Sequence, residues 1–302
     1  MGHYLSREQS VLEFSHANAP VLNIESGESV TFQTYDCFSD QIQSESDLVT
    51  SIDLSRVNPA TGPVFVKDAR PGDILKVKIE DVRVRSWGVI STLPNMGVLI
   101  HTAETKTKIV PVDDSKIAHF NERIEFDVNP MIGVIGVAPA GESVPCGHPG
   151  AHGGNIDTHT ITKGATVYFP VNVEGALFGL GDVHASMGDG EICGTGIEIA
   201  GEVTATLSVL RGHTITRPVV ETDEAWYTVA EDHNLETAIR IACEDMQRLL
   251  VARWDLSPTE AYLLMSVAGD VRMCQCCKPS PVEQVARFRM PKLRNLPRLL
   301  GE

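Results

Sequence analysis

The chain has 302 residues, 42% of them hydrophobic and 22% charged, enough for one large β domain or two smaller ones with ample core. A formal charge of −15 argues against a nucleic-acid partner, because phosphate binding needs clustered Lys and Arg. No apolar run approaches the ~18–20 residues of a membrane span, and the polar start offers no secretory signal core. Seven cysteines, an odd number set mostly in apolar or helical context, fit reduced thiols in a cytoplasm.

The first two-thirds reads as β structure. Val21–Ile24 and Ser29–Tyr35 alternate apolar and polar residues around the turn Glu25–Glu28. The second of these strands delivers Asp36 to a strand end, where a carboxylate can point into a site or simply cap a turn. Thr61–Val66 and the long alternating run Ile74–Val82 follow, the latter after the turn Arg70–Asp73. Further strands are predicted at Thr107–Val112 and Arg123–Val128. Met131–Val137 is apolar throughout, as a buried strand must be, and its glycines point to close packing against another backbone. Thr166–Val173 is β-rich, and Gly194–Val209 reads as one strand on which Glu198 and Glu202 share a face about 13 Å apart. At that separation, at most one of the two belongs to a common site.

Helix appears only near the end. Leu235, Ala238, Ile239, Ala242, Met246, Leu249 and Leu250 follow helical spacing, with Asn234 as N-cap. Ser257, Pro258 and Glu260 start a second helix that stops near Gly269. The predicted organisation is a β-rich body over residues 1–225, divisible near 140, and a helical C-terminal part over 226–302 packed on it. The final arginines and lysine, Arg287 to Arg298, read as a basic tail lying on the acidic body or on a second subunit.

Chemistry is concentrated between Pro145 and Glu202. Glycine-rich segments carry His148, His152, His159, His184, Asp157, Asp182, Asp189 and Glu191 on backbone that is free to bend. Asp157 and His184, at glycine-flanked strand ends, are the foremost metal ligands; His152 and Asp36 complete the candidate set. Gly153, Gly154, Gly188 and Gly190 would let backbone amides approach a substrate oxygen. Glu191 and Glu198 are candidates for general base and general acid. Spacing alone leaves a metal site and a set of ordinary turn residues both open, and it names no reaction. Cys274, Cys276 and Cys277 form C-x-C-C, a spacing that lacks the paired pattern of a zinc site and reads as buried or idle thiols before it reads as a nucleophile.

These residues resemble the acetamidase/formamidase family. The resemblance is carried by P-G-A-H-G-G-N-I-D (Pro149–Asp157), G-D-V-H-A-S-M-G-D-G-E (Gly181–Glu191) and G-I-E-I-A-G (Gly196–Gly201). It is supported by T-Y-D at Thr34–Asp36 and by T-G-P-V-F-V with P-G-D-I-L-K-V. It implies a mainly β fold, sandwich- or barrel-like, with a smaller helical α+β C-terminal part. It also implies a homodimer and a divalent metal, zinc foremost with calcium or manganese compatible. The implied reaction is hydrolysis of a small neutral amide, linear or a cyclic lactam, with His152, Asn155, Asp157, Asp182, His184, Asp189, Glu191 and Glu198 at the site. Asn155, Asp182 and Asp189, with Gly153 and Gly154, are the expected substrate contacts. Met187 stands where many members have Gln. The rival expectation is a non-catalytic jelly-roll-like protein that binds a metal or small molecule.

Overall fold

The computed structural model describes residues 2–114 and 116–301. Two sheets and a helical pair form three layers. The larger sheet has nine strands, in the spatial order His3–Leu5, Glu28–Thr34, Gly201–Leu210, Ile74–Val84, Thr166–Pro170, Val219–Glu221, Ala225–Asp232, Gln284–Pro291 and Asp270–Gln275. The second sheet has seven, centred on Met131–Gly136, with Gly153–Asn155 on one side and Phe178–His184 on the other. Ala60–Val66 lies next to Phe178–His184.

The alternation in the long strands explains the layering. On Ile74–Val84 the side chains of Leu75, Val77 and Ile79 are fully buried, and they meet Val64, Ile132, Ile135 and Leu180 of the second sheet in one core. Phe178 bridges the two sheets, with ring centroids 5.7 Å from Phe32 and 6.1 Å from Phe169. Each such fully buried side chain contributes about 1.5–3 kcal/mol. The opposite face of the nine-stranded sheet presents Tyr168, Trp226, Phe288 and Met290, and the helices Leu235–Trp254 and Pro258–Ala268 cover it with Met246, Leu250, Trp254 and Met265. Both helix starts form as their sequences require. Asn234 accepts from the Thr237 N–H, and Ser257 with Glu260 closes a capping box.

Two expectations are corrected here. The strand predicted from Gly194 begins only at Gly201; residues 194–200 run as a connection that makes single bridges from Glu198 to Val89 and to His184. The basic segment containing Arg287 and Arg289 is not a tail. It is the strand Gln284–Pro291, paired on both sides inside the large sheet, and Arg287 is fully buried. That sheet continues past residue 225 through Ala225–Asp232, Asp270–Gln275 and Gln284–Pro291. No helix among the described residues is long and apolar enough to cross a membrane.

Candidate active site

The site is assembled around Gly133. Its strand is flanked by Gly153–Asn155 and Phe178–His184, so the residues just beyond these strands converge over one point. The Gly133 carbonyl accepts from the Ile156 and Asp157 N–H groups, which draws Asp157 across the strand. A Cβ on Gly133 would lie 2.4 Å from Asp157 Oδ1 and 2.7 Å from Asp182 Oδ2. Only glycine leaves room for both carboxylates.

His184 stands between the two acids and Glu198. Its Nε2 is 3.1 Å from Glu198 Oε2, 3.4 Å from Asp182 Oδ1 and 3.9 Å from Asp157 Oδ1. Glu198 is presented by the 194–200 connection, where the Gly196 N–H donates to its Oε1 at 2.8 Å. Glu191 enters from the loop after Ser186, and its carboxylate forms a compact group with Asp157 and His184, one ligand atom of each lying within 4.8 Å of the others. Cys37 approaches Asp182 and Glu198 in a second such group. All five of Asp157, Asp182, His184, Glu191 and Glu198 are buried.

Three of these acids sit on backbone that non-glycine residues rarely adopt: φ is 44° at Asp157, 53° at Asp182 and 44° at Glu191. Each such conformation costs on the order of 1–2 kcal/mol, and strain of this kind collects at functional sites.

Electrostatics sharpen the picture. Burial, reinforced by the Asp182 charge, raises the Asp157 carboxyl to about 7. Burial likewise lifts Glu198 to about 8, against the pull of His184, and holds Glu191 well above the ordinary carboxylate range. Burial opposes a charge on His184, but the Glu198 and Asp182 carboxylates outweigh it and push the imidazole well above its usual value. Four carboxyl groups this close and this dry cannot all be ionised without a positive partner. They keep protons, or they share a cation.

The donor atoms fit a cation. Asp157 Oδ1, Asp182 Oδ1, Glu198 Oε2, Asn155 Oδ1 and Gln275 Oε1 are buried and make no hydrogen bond, and neither does His184 Nδ1. Buried polar atoms are otherwise nearly always satisfied. A set of hard carboxylate oxygens with one imidazole suits a divalent ion of the zinc or manganese type.

Other expected residues lie elsewhere. Asp36 is fully buried but committed, accepting from the Arg85 guanidinium at 2.7 Å and from the Asp40 N–H at 2.8 Å. The structure does not bring it to the cluster. His152 stacks edge-on against Phe14 at a centroid distance of 5.2 Å and lies over Gly150 and Gly154; burial drops its pKa to about 4. It belongs to neither ligand group. Asp189 is held by His159 Nδ1 at 2.8 Å and Arg287 Nη2 at 2.7 Å, which together outweigh its burial and keep its carboxyl below the ordinary value. It fixes the loop that carries Glu191. Gly153 and Gly154 serve close backbone packing: a Cβ would meet the Ile135 and His148 carbonyls at 2.3 and 2.2 Å. Asn155 does line the cavity described next.

The most informative residue that motif reading missed is Gln275. Its Nε2 donates to Asp157 Oδ2 at 2.6 Å and to Glu191 Oε2 at 3.3 Å, holding the two acids together from the edge strand of the other sheet. The loop and this strand are joined by the Gly190–Gln275 bridge. The only sequence signal was its place inside C-x-C-C. Cys274 and Cys277 are not activated: burial raises Cys274 and carries Cys277 to about 12.

Asn155, Asp157, Asp182, Glu191, Glu198 and Gln275 open onto a cavity of about 400 Å³. A two-layer β scaffold with a buried carboxylate–imidazole centre at one end of such a cavity forms a small-molecule site whose donor atoms could hold a metal. The chain belongs to the acetamidase/formamidase family, whose model matches residues 8–148 and 140–278. It is similar to the solved structure of a predicted acetamidase/formamidase of Thermoanaerobacter tengcongensis, at 45% identity, TM-score 0.92 and 96% coverage of both chains. An acetamidase of Bacillus halodurans matches at 42% identity and TM-score 0.92, covering 95% of this chain and 97% of that one. Among curated relatives, the formamidase of Methylophilus methylotrophus is 27% identical over 258 residues, 65% of this chain. The chain spans 63% of that protein's length and 61% of the length of another curated relative.

Proposed function

We propose that this protein is a metal-dependent amidase that hydrolyses a neutral amide to a carboxylate and ammonia or an amine. The observation that carries the reading is the buried group Asp157, His184 and Glu191, joined to Asp182 and Glu198, with unpartnered oxygens facing a cavity. The names of the relatives agree with it. Asp157, His184 and Glu191 would hold the divalent ion, with zinc the first candidate. Bound there, such an ion supplies Lewis acidity to water and to an amide carbonyl.

The chain's own groups account for the rest. Asn155 brings a side-chain amide to the cavity wall, where an N–H can meet the substrate oxygen, while the Gln275 N–H groups hold Asp157 and Glu191 in place. Glu198 is anchored at one oxygen by the Gly196 N–H, and its other oxygen lies 3.1 Å from His184 Nε2. Burial favours the protonated form of this carboxyl, and its place on the cavity wall suits it to pass a proton to the departing nitrogen. Asp182, whose Oδ1 lies 3.4 Å from His184 Nε2, adds a further carboxylate beside the ligand imidazole, and the whole group is buried.

A homodimer, as the resemblance implies, and a cytoplasmic setting, as the odd number of cysteines suggests, complete the reading; light scattering of the purified protein checks the assembly. The decisive assay is ammonia release from a panel of amides and lactams, before and after chelator treatment and metal replacement. Release that chelator abolishes and metal restores is the expected result. No release from any member in the presence of metal would overturn the amidase reading and favour a non-catalytic binding protein.

A further inference from the structure

The cavity is far larger than formamide or acetamide requires. At about 400 Å³ it lies within the range of roughly 300–1,000 Å³ that houses drug-sized ligands. Its composition is divided. The acids and amides described above form one end, and the large side chains of the remaining wall are mostly apolar, with Ser55, Asn58, His148, Thr195 and Ser280 interspersed. Phe38, Val49 and Leu93 belong to a single hydrophobic cluster on that wall. At the mouth, Leu54 and Leu12 stay 60% and 43% exposed, which places large apolar side chains where an incoming molecule first touches the protein. No Lys or Arg is among the described residues that line the cavity.

The apolar wall is built firmly. The 93–97 turn is tied to the C-terminal segment by the Gly97 N–H, which donates to the Cys277 carbonyl at 2.8 Å. It also packs on Gly194, where a Cβ would meet Met96 Sδ at 2.8 Å and Leu93 Cδ1 at 3.2 Å. A loop fitted this closely holds a shaped surface in place.

We infer that the substrate is an uncharged amide with an apolar acyl chain or ring, placed along Phe38, Val49, Leu93 and Leu54 while its amide group meets the acidic end. The inference deepens the amidase reading and rests on it. A charged group on the substrate away from the acidic end is disfavoured at either sign: an anion would find no Lys or Arg in the cavity, and a cation would lie beside the apolar side chains. Each methylene that moves from water onto such a wall contributes about 0.8 kcal/mol, or close to fourfold in binding.

The test is a chain-length series of primary amides, acetamide through hexanamide with phenylacetamide, read both as kcat/KM for ammonia release and as Kd by calorimetry on the metal-loaded protein. Specificity should rise about fourfold per methylene, and so on the order of 200-fold from acetamide to hexanamide. Val49→Phe, which fills the wall, and Leu54→Glu, which charges the exposed mouth where folding is least at risk, should each flatten the series. Acetamide turnover with a flat or falling series would overturn the inference and leave the amidase reading intact. Absence of ammonia from every amide would overturn the amidase reading; the Kd series then decides the inference, tightening with chain length supporting it and a flat series defeating it.

Discussion

Gly133→Ala probes the geometry of the site with a single methyl group. Gly133 has no left-handed φ, so alanine is acceptable to the backbone and its cost is steric. The new carbon would stand 2.4 Å from Asp157 Oδ1, 2.7 Å from Asp182 Oδ2 and 3.0 Å from the Asp182 carbonyl. Restoring ordinary contact at about 3.4 Å or more displaces the Asp157 carboxylate by about 1 Å and presses Asp182 outward, a shift of the kind that can cost about 10²-fold in rate. Overpacking in a rigid interior costs about 1–3 kcal/mol, far less than a domain of this size needs to unfold outright. The expected variant therefore folds, melts somewhat earlier, binds less than one equivalent of metal at a concentration that saturates the wild type, and loses about 10²-fold in kcat/KM. Thermal unfolding, elemental analysis after dialysis and ammonia release measure the three effects. Wild-type metal content together with wild-type kcat/KM would refute the assignment of Asp157 and Asp182 to the working centre.

Gln275→Leu removes the donor that binds Asp157 and Glu191 together; a hydrogen bond to a charged group is worth about 1.5–3 kcal/mol, so kcat/KM should fall about 10–100-fold with little change in melting temperature. Arg287→Met leaves Asp189 without its buried cation and should cost about 3 kcal/mol of stability, seen as a lower denaturation midpoint with an unchanged m-value. His184→Ala should abolish both stoichiometric metal binding and ammonia release, as measured by calorimetry and the amide panel. His152 gives a pH prediction. Its folded pKa of about 4 lies below the ordinary 6.5, so the unfolded chain binds the proton more readily between these values. The stability it contributes is complete above pH 6.5 and is lost as pH falls through about 4, on the order of 3 kcal/mol. His152→Phe should remove that share of the acid slope in denaturation curves; an identical slope in both proteins would contradict it.

Much of this was legible in the residues. Alternation located Ile74–Val84 and Glu28–Thr34 because each strand has one face on the core, and capping chemistry located both helices because it is local. The motifs placed Asp157, Asp182, His184, Glu191 and Glu198 in one neighbourhood, since glycine-flanked acids and imidazoles stand out against ordinary composition. What failed was long-range partnership. Asp36 ends a strand as expected, but Arg85, far along the chain, neutralises it. Glu198 and Glu202 were separated correctly, yet by a different geometry: Glu198 precedes the strand, and Glu202 accepts from the Tyr4 hydroxyl at 3.1 Å. Arg287 looked like surface because arginine is mostly exposed; its place in a central strand depends on Asp189 and the Met273 carbonyl, partners that no local pattern announces.

The way Gln275 reaches the site has a consequence for biosynthesis. Asp157, Asp182, His184, Glu191 and Glu198 all leave the ribosome well before the strands Asp270–Gln275 and Gln284–Pro291 that supply Gln275 and Arg287. Until then a nascent chain carries a crowd of strained, mutually repelling acids with neither the amide that joins two of them nor the guanidinium that anchors their loop. Long-range pairing of this sort is slow to form. Translation pauses or proteolytic nicks ahead of residue 270 would therefore yield fragments that hold the recognisable motifs but lack a finished centre, and any assay of truncated chains should be read with that order of assembly in mind.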